Sequence, residues 1–156
     1  MMLMKTLKTI FVKTIVLSIL FTTVMQSEED ATIHASNTDA SKPAAYKFEV
    51  NFDSKVTPTS HFEIIFPKTF NVSTAIMAVS DKLDGNLDVT AEKNSIKLHR
   101  SGGRNTVDAG EMVDLKVASI INPAQIDRDW DFTFILVDGQ REVETKVRTQ
   151  ITLIQK

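Results

Sequence analysis

The feature that most constrains the fold of this chain is an alternation of apolar and polar side chains with a period of two. In the stretch YKFEVNF, Tyr46, Phe48, Val50 and Phe52 alternate with polar residues. Successive side chains of a β-strand point to opposite faces, so this pattern predicts a strand with one buried face. No stretch beyond the first thirty residues shows a convincing helical period, and the sequence therefore predicts an all-β domain.

Further strand patterns follow at intervals of about 8–12 residues, with turn signals between them. HFEIIF stops at Pro67, which cannot donate to a strand ladder, and Trp130, Phe132 and Phe134 share one predicted inward face. The remaining patterns are STAIMAVS around Ile76, NLDVTA, SIKLHR, EMVDLKVASII, DWDFTFILV and EVETKVRTQITLI. Seven to nine short strands predict an antiparallel β-sandwich of the immunoglobulin-like kind.

The first 27 residues have the layout of a secretory signal peptide. Lys5, Lys8 and Lys13 precede a short apolar run, residues 14–25, and Gln26-Ser27 is a plausible end. The run is shorter than the roughly 20 residues of a membrane span. We therefore expect residues 1–27 to be removed and no stable membrane span to remain, with a retained signal-anchor as the alternative.

Residues 28–43 are small and polar, and they predict a flexible leader before a sandwich domain at 44–156. The alternative is a short edge strand at ATIHA. Loss of three lysines from a chain with 18 basic and 20 acidic residues would leave a net charge near −5, which disfavours nucleic acid as a partner. The absence of cysteine excludes thiolate catalysis and zinc–thiolate or iron–sulfur ligation.

The segment INPAQIDRDWD, residues 121–131, has two interpretations. Asn122-Pro123 ends one strand and Trp130 begins the next, which predicts a connection between the two sheets. Asp127, Asp129 and Asp131 lie at alternate positions, and closely spaced carboxylates are weak candidates for a Ca²⁺ site. We favour the structural connection and predict neither a metal nor a cofactor.

Other polar motifs favour structural roles in the same way. The acids of DKLDGNLD, residues 81–88, are predicted to be solvated around a hairpin turn, and SGGRN, residues 101–105, is predicted to be a flexible turn without a phosphate-binding role. Asn71 lies in an N-glycosylation sequon that we place in an exposed loop. His34, His61 and His99 are scattered, and only the fold could bring them partners.

Several of these patterns occur in a familiar order. The strand end I-x-F-P at Ile64–Pro67, the aliphatic run into Asn122-Pro123 and the F-x-F strand at Phe132–Phe134 resemble an immunoglobulin-like module repeated in large surface proteins of ciliated protozoa. The resemblance covers roughly residues 44 to 154. It implies a surface role and supplies no catalytic residue.

The sequence predicts a non-enzymatic module, secreted or at the cell surface, for adhesion, recognition or assembly. Its expected partners are a protein or a glycan at the cell surface, and self-association stays open. The alternative is a subunit of an extracellular filament or coat, in which residues 27–45 pair with the sheet edge of a neighbour. A hydrolase is disfavoured because no nucleophile–base pair is recognisable.

Overall fold

The computed structural model describes residues 31–124, 129–139 and 141–150 of the chain. These residues form nine antiparallel strands: β1 (Ala31–Ala35), β2 (Pro43–Asn51), β3 (His61–Ile65), β4 (Met77–Val79), β5 (Asn86–Glu92), β6 (Ser95–Ser101), β7 (Met112–Ile121), β8 (Asp129–Asp138) and β9 (Arg141–Gln150). Within this described part there is no helix long and apolar enough to cross a membrane. The predicted signal peptide, residues 1–27, lies outside the described residues.

The strands follow one another in the order β1-β2-β7-β4-β5-β6-β3-β8-β9. This sheet folds into two layers at β4 and β5, which share only the pair Ala78 and Leu87. One layer, β1-β2-β7-β4, reproduces the A-B-E-D order of an immunoglobulin domain, and β3-β8-β9 reproduces C-F-G opposite it, extended by β6 and β5. The prediction of an immunoglobulin-like antiparallel sandwich with seven to nine strands is therefore confirmed.

The core is formed by the inward faces of the two layers, as the period-two patterns predict. In β2, Tyr46, Phe48 and Val50 are fully buried, and in β8 the inward residues include Trp130 and Phe134. The rings of Phe48 and Phe134 lie 5.4 Å apart between centroids. Strands B and F of antibody domains are joined by a disulfide, whereas here an edge-to-face aromatic contact connects the corresponding strands β2 and β8.

Phe70 and Trp130 close the core at the end where β8 begins. Phe70 lies in the loop after β3, and its ring centroid is 5.1 Å from that of Trp130. Edge-to-face pairs at such distances are favourable beyond the area that they bury. The predicted inward orientation of Trp130 is confirmed, since its side chain is only 3% exposed.

A β-bulge in β7 explains why its apolar pattern changes phase. Tyr46 of β2 pairs with Val117, but Ala44, two residues earlier, pairs with Ile120, so β7 has one residue more than its partner there. Ser119 adopts a positive φ of 69° within this stretch. The extra residue turns both Val117 and Ile120 into the core.

Two expectations about strands need correction. Residues 31–35 of the predicted leader 28–43 form the edge strand β1, because Ala31 and Ile33 bury apolar side chains while all five residues pair with β2. The alternative of an edge strand at ATIHA is therefore correct. The strand predicted around Ile76 is limited to β4, and Ile76 lies outside it with 76% of its surface exposed.

Asn122 connects three parts of the fold where β7 ends. Its Oδ1 accepts a hydrogen bond of 2.5 Å from the Tyr46 hydroxyl, and its Nδ2 donates to the carbonyl oxygens of Asn37 and Asp39 at 2.9 and 2.8 Å. Burial raises the pKa of Tyr46, which keeps the hydroxyl a donor. Because β7 and β8 belong to different layers, the prediction of a sheet-to-sheet connection at Asn122-Pro123 is confirmed.

We predict that Trp130→Ala lowers the free energy of unfolding by about 3–5 kcal/mol, as truncation of a buried large aromatic does. Urea unfolding followed by circular dichroism measures the change. The matched control is Ile76→Ala, which removes an exposed aliphatic side chain and should alter stability by less than about 0.5 kcal/mol. Equal losses for the two variants would contradict the burial of Trp130.

Candidate functional site

The outer face of the layer β5-β6-β3-β8-β9 carries a row of residues that the strand register aligns. Asp88, His99, His61, Val137 and Glu142 follow one another across the five strands as direct cross-strand partners. Their neighbours along the strands, such as Leu98 and Leu136, are buried in the core. Since side chains alternate between faces, this row points away from the core.

A groove of about 400 Å³ lies along this row, and we call it the histidine groove. Its polar lining carries both signs of charge and two imidazoles: His61, Glu63, Thr90, Lys97, His99 and Glu142. Lys97 Nζ is 2.9 Å from Glu92 Oε2, and this hydrogen bond raises the pKa of Lys97. The groove therefore exposes to solvent the charged ammonium group of Lys97, surrounded by hydrogen-bond acceptors.

The fold brings together two histidines that are distant in sequence. His61 on β3 and His99 on β6 are direct partners, and their ring centroids are 4.5 Å apart with an interplanar angle of 38°. The interpretation of the three histidines as scattered is therefore wrong for His61 and His99. It is correct for His34, which lies apart from them on β1, next to Glu49. Only the register between β3 and β6 reveals the pair, so no local sequence motif could have predicted it.

The aspartates of the β7–β8 connection are only partly described. Asp127 lies outside the described residues, Asp129 begins β8, and Asp131 is exposed on that strand. Across the described ranges no group of three histidine, aspartate or glutamate residues is arranged to hold a metal ion. Ca²⁺ binding at the three aspartates therefore remains the disfavoured interpretation that the sequence left open.

One of the acids of residues 81–88, Asp84, is more firmly held than the solvated side chain that the sequence predicts, whereas Asp81 and Asp88 are exposed as predicted. Asp84 pairs with Arg100, whose side chain is completely buried, at 2.5 Å. Backbone N–H groups of Asn105 and Arg104 donate to the same carboxylate and, with Arg100, hold the pKa of Asp84 below its usual value. Arg100 also donates to the Thr57 carbonyl at 3.0 Å. This cluster ties three loops together, which assigns Asp84 a structural role.

The glycine-rich turn 101–105 serves the same packing. Gly85 has a φ of 84°, and a Cβ there would lie 2.5 Å from the backbone nitrogen of Gly103 and from the carbonyl of Ser101. At Gly103 a Cβ would meet the Arg100 side chain at 2.5 Å. Close backbone approach therefore explains these two glycines, and the predicted flexible turn is instead a packed one.

Asp114 is a second structural carboxylate, and the sequence analysis did not single it out. It is buried on β7 and accepts hydrogen bonds from the backbone N–H groups of Asp81 and Lys82 at 2.9–3.0 Å and from the Ser80 hydroxyl at 3.0 Å. Burial acts to raise the pKa of Asp114, but these hydrogen bonds outweigh it, so that the pKa is lowered. Asp114 thereby anchors the loop between β4 and β5 onto β7, the strand that pairs with β4.

Asn71 lies where the sequence predicts, in the loop after Pro67. Its side chain is exposed, and its Oδ1 accepts hydrogen bonds from the Ser73 backbone at 3.0 Å and the Ser73 hydroxyl at 2.6 Å. The nitrogen that would carry a glycan therefore belongs to an accessible side chain. Glycosylation of Asn71 stays a prediction.

The chain was compared with known families, curated proteins and solved structures. No family model and no curated protein sequence matches it. A Nocardia farcinica protein described as having an immunoglobulin-like fold matches with a TM-score of 0.49 and 17% identity, over 73% of this chain and 81% of its own. The bacterial hydrophobin BslA matches with a TM-score of 0.43 and 14% identity, over 81% of this chain and 96% of its own. A cohesin from Archaeoglobus fulgidus matches with a TM-score of 0.41 and 14% identity, over 76% of this chain and 90% of its own.

We predict that Asp114→Asn destabilises the protein at neutral pH and that this loss shrinks on acidification. A carboxylate whose pKa is lowered by folding stabilises the native state above its unfolded pKa, near 3.8, and the stabilisation disappears as the pH falls through the lower folded value. Urea unfolding of both proteins between pH 7 and strongly acidic buffer measures the difference. A difference independent of pH would contradict a charged Asp114 as the anchor.

Proposed function

We propose that this protein is a non-enzymatic recognition module that acts outside the cell or at its surface, and that the histidine groove binds its partner. The observation that carries the proposal is the groove itself, because the sheet exposes there a concave surface of the size of ligand sites, about 300–1,000 Å³. Lys97 and Glu63 face each other across the strands within it. Such a surface suits a polar partner, which we take to be a protein or a glycan at a cell surface.

Three further points support this function. The two polar clusters at Arg100 and Asp114 are occupied in tying loops together, so neither supplies a reactive group. The N-terminal sequence is typical of a secreted protein, and an acidic chain is poorly suited to nucleic acid. Membership among the repeated modules of ciliate surface proteins is part of the same proposal, and it rests on the short strand motifs described above.

Reversal of one charge in the groove tests the proposal. We expect Lys97→Glu to weaken binding of the purified, fluorescently labelled protein to intact cells of its source organism several-fold, because it removes the cation of the groove. Flow cytometry measures the binding. The control is Lys47→Glu, which reverses a lysine paired with Glu49 at 2.5 Å on the outer face of the other layer. Equal binding by both variants would exclude the groove as the recognition face.

The alternative function is that of a filament or coat subunit assembled by strand donation. Residues 31–35 already pair with β2 of the same chain, so donation of this strand to a neighbour would require exchange of an existing pairing. We therefore expect the chain without residues 1–27 to elute as a monomer at all concentrations in size-exclusion chromatography with light scattering. Concentration-dependent oligomers that retain the β content would favour the assembly function instead.

A further inference from the structure

The paired histidines of the groove take no part in the hydrogen-bonded clusters around Arg100 and Asp114. Within the described ranges, neither the His61 nor the His99 side chain makes a hydrogen bond, and Nδ1 of His61 is buried without a partner. Buried polar atoms nearly always have a partner, and an exception calls for an explanation such as an ion. In the part of the chain that the structure describes, no carbonyl or carboxylate accepts a hydrogen bond from either ring, so neither imidazole is committed to a protein partner.

We propose that His61 and His99 together bind a divalent transition-metal ion of the kind that prefers imidazole, with Zn²⁺ as the reference ion. A metal at about 2.0–2.1 Å from each nitrogen can join two imidazoles that lie side by side, and the 4.5 Å ring separation brings these two within reach of a common ion. Because both rings project from adjacent paired strands, the backbone holds them together without a loop having to close.

The surroundings of the pair are compatible with a cation. Asp88 is the cross-strand partner of His99 and begins the row. Glu142 ends the row, one strand beyond Val137, the partner of His61. The row therefore has a carboxylate residue at each end. Glu142 also lines the groove. Two protein ligands leave open positions for water or for a group from another molecule, which distinguishes this site from a closed structural zinc site.

Metal selectivity follows from the ligand type. Neutral imidazole nitrogen suits Zn²⁺, Cu²⁺ and Ni²⁺, with Cu²⁺ bound more tightly than the other two, whereas Ca²⁺ and Mg²⁺ prefer oxygen ligands. The inference goes beyond the proposed recognition function although it concerns the same groove. Its test uses the metal alone, so metal binding and partner binding can fail independently.

Calorimetric titration of the untagged chain lacking residues 1–27 with Zn²⁺ tests the site. We expect the wild type to bind, His99→Gln to bind at least about tenfold more weakly, and the control His34→Gln to match the wild type, because His34 lies on β1 in the other layer. His99 and His34 are both exposed, and neither substitution should impair folding. Ca²⁺ should give no binding in the same assay.

Sedimentation in the presence of Zn²⁺ shows what completes the coordination. One ion per monomer indicates water at the open positions, and one ion per dimer indicates the histidine pair of a second copy; either result supports the site. Absence of Zn²⁺ binding, or equal affinity in the wild type and His99→Gln, would overturn it. A loss of cell binding in Lys97→Glu combined with no Zn²⁺ binding would leave the recognition proposal intact.

Discussion

The fold depends on the packing of aromatic rings between the two layers. Phe48 of β2 contacts both Phe132 and Phe134 of β8, and Phe66 is 5.4 Å from Phe132 between ring centroids. These contacts connect the strands that a disulfide joins in antibody domains. Large rings bury much apolar surface with few rotatable bonds, so the cysteine-free chain holds its layers together by hydrophobic packing. The groove on the outer face lies on strands that this packing fixes from inside.

Polar side chains secure the ends of the sandwich, where strands leave the core. Asn122 connects the Tyr46 hydroxyl with the backbone after β1, Asp114 holds the loop after β4, and Arg100 holds the loops around Asp84. Each satisfies backbone groups that would otherwise lie unpaired near the core. The carboxylates of Asp84 and Asp114 therefore have separate structural roles.

Local patterns in the sequence predicted most of the strands, because burial of one sheet face requires alternation. These patterns failed to predict features that depend on contacts with distant parts of the chain. The strand at residues 31–35 is polar on one face and weakly apolar on the other, and only β2 beside it makes it a strand. The functions of Asn122 and Arg100 and the meeting of His61 with His99 depend on pairings between distant strands. No period or spacing in a single sequence records such pairings.

The strand order also determines how the chain can fold. Among the nine described strands, four of the eight neighbouring pairs follow each other in sequence. The other four join strands that are distant in sequence, such as β2 with β7 and β3 with β8. The contact between Tyr46 and Asn122 spans 76 residues. Closing such long loops costs entropy before any contact compensates for it, and domains dominated by non-local strand pairs typically fold in about milliseconds to seconds. The hairpins can form early and alone, but neither layer is complete until these long loops close. The strand edges of the folding chain therefore stay unpaired for a comparatively long time.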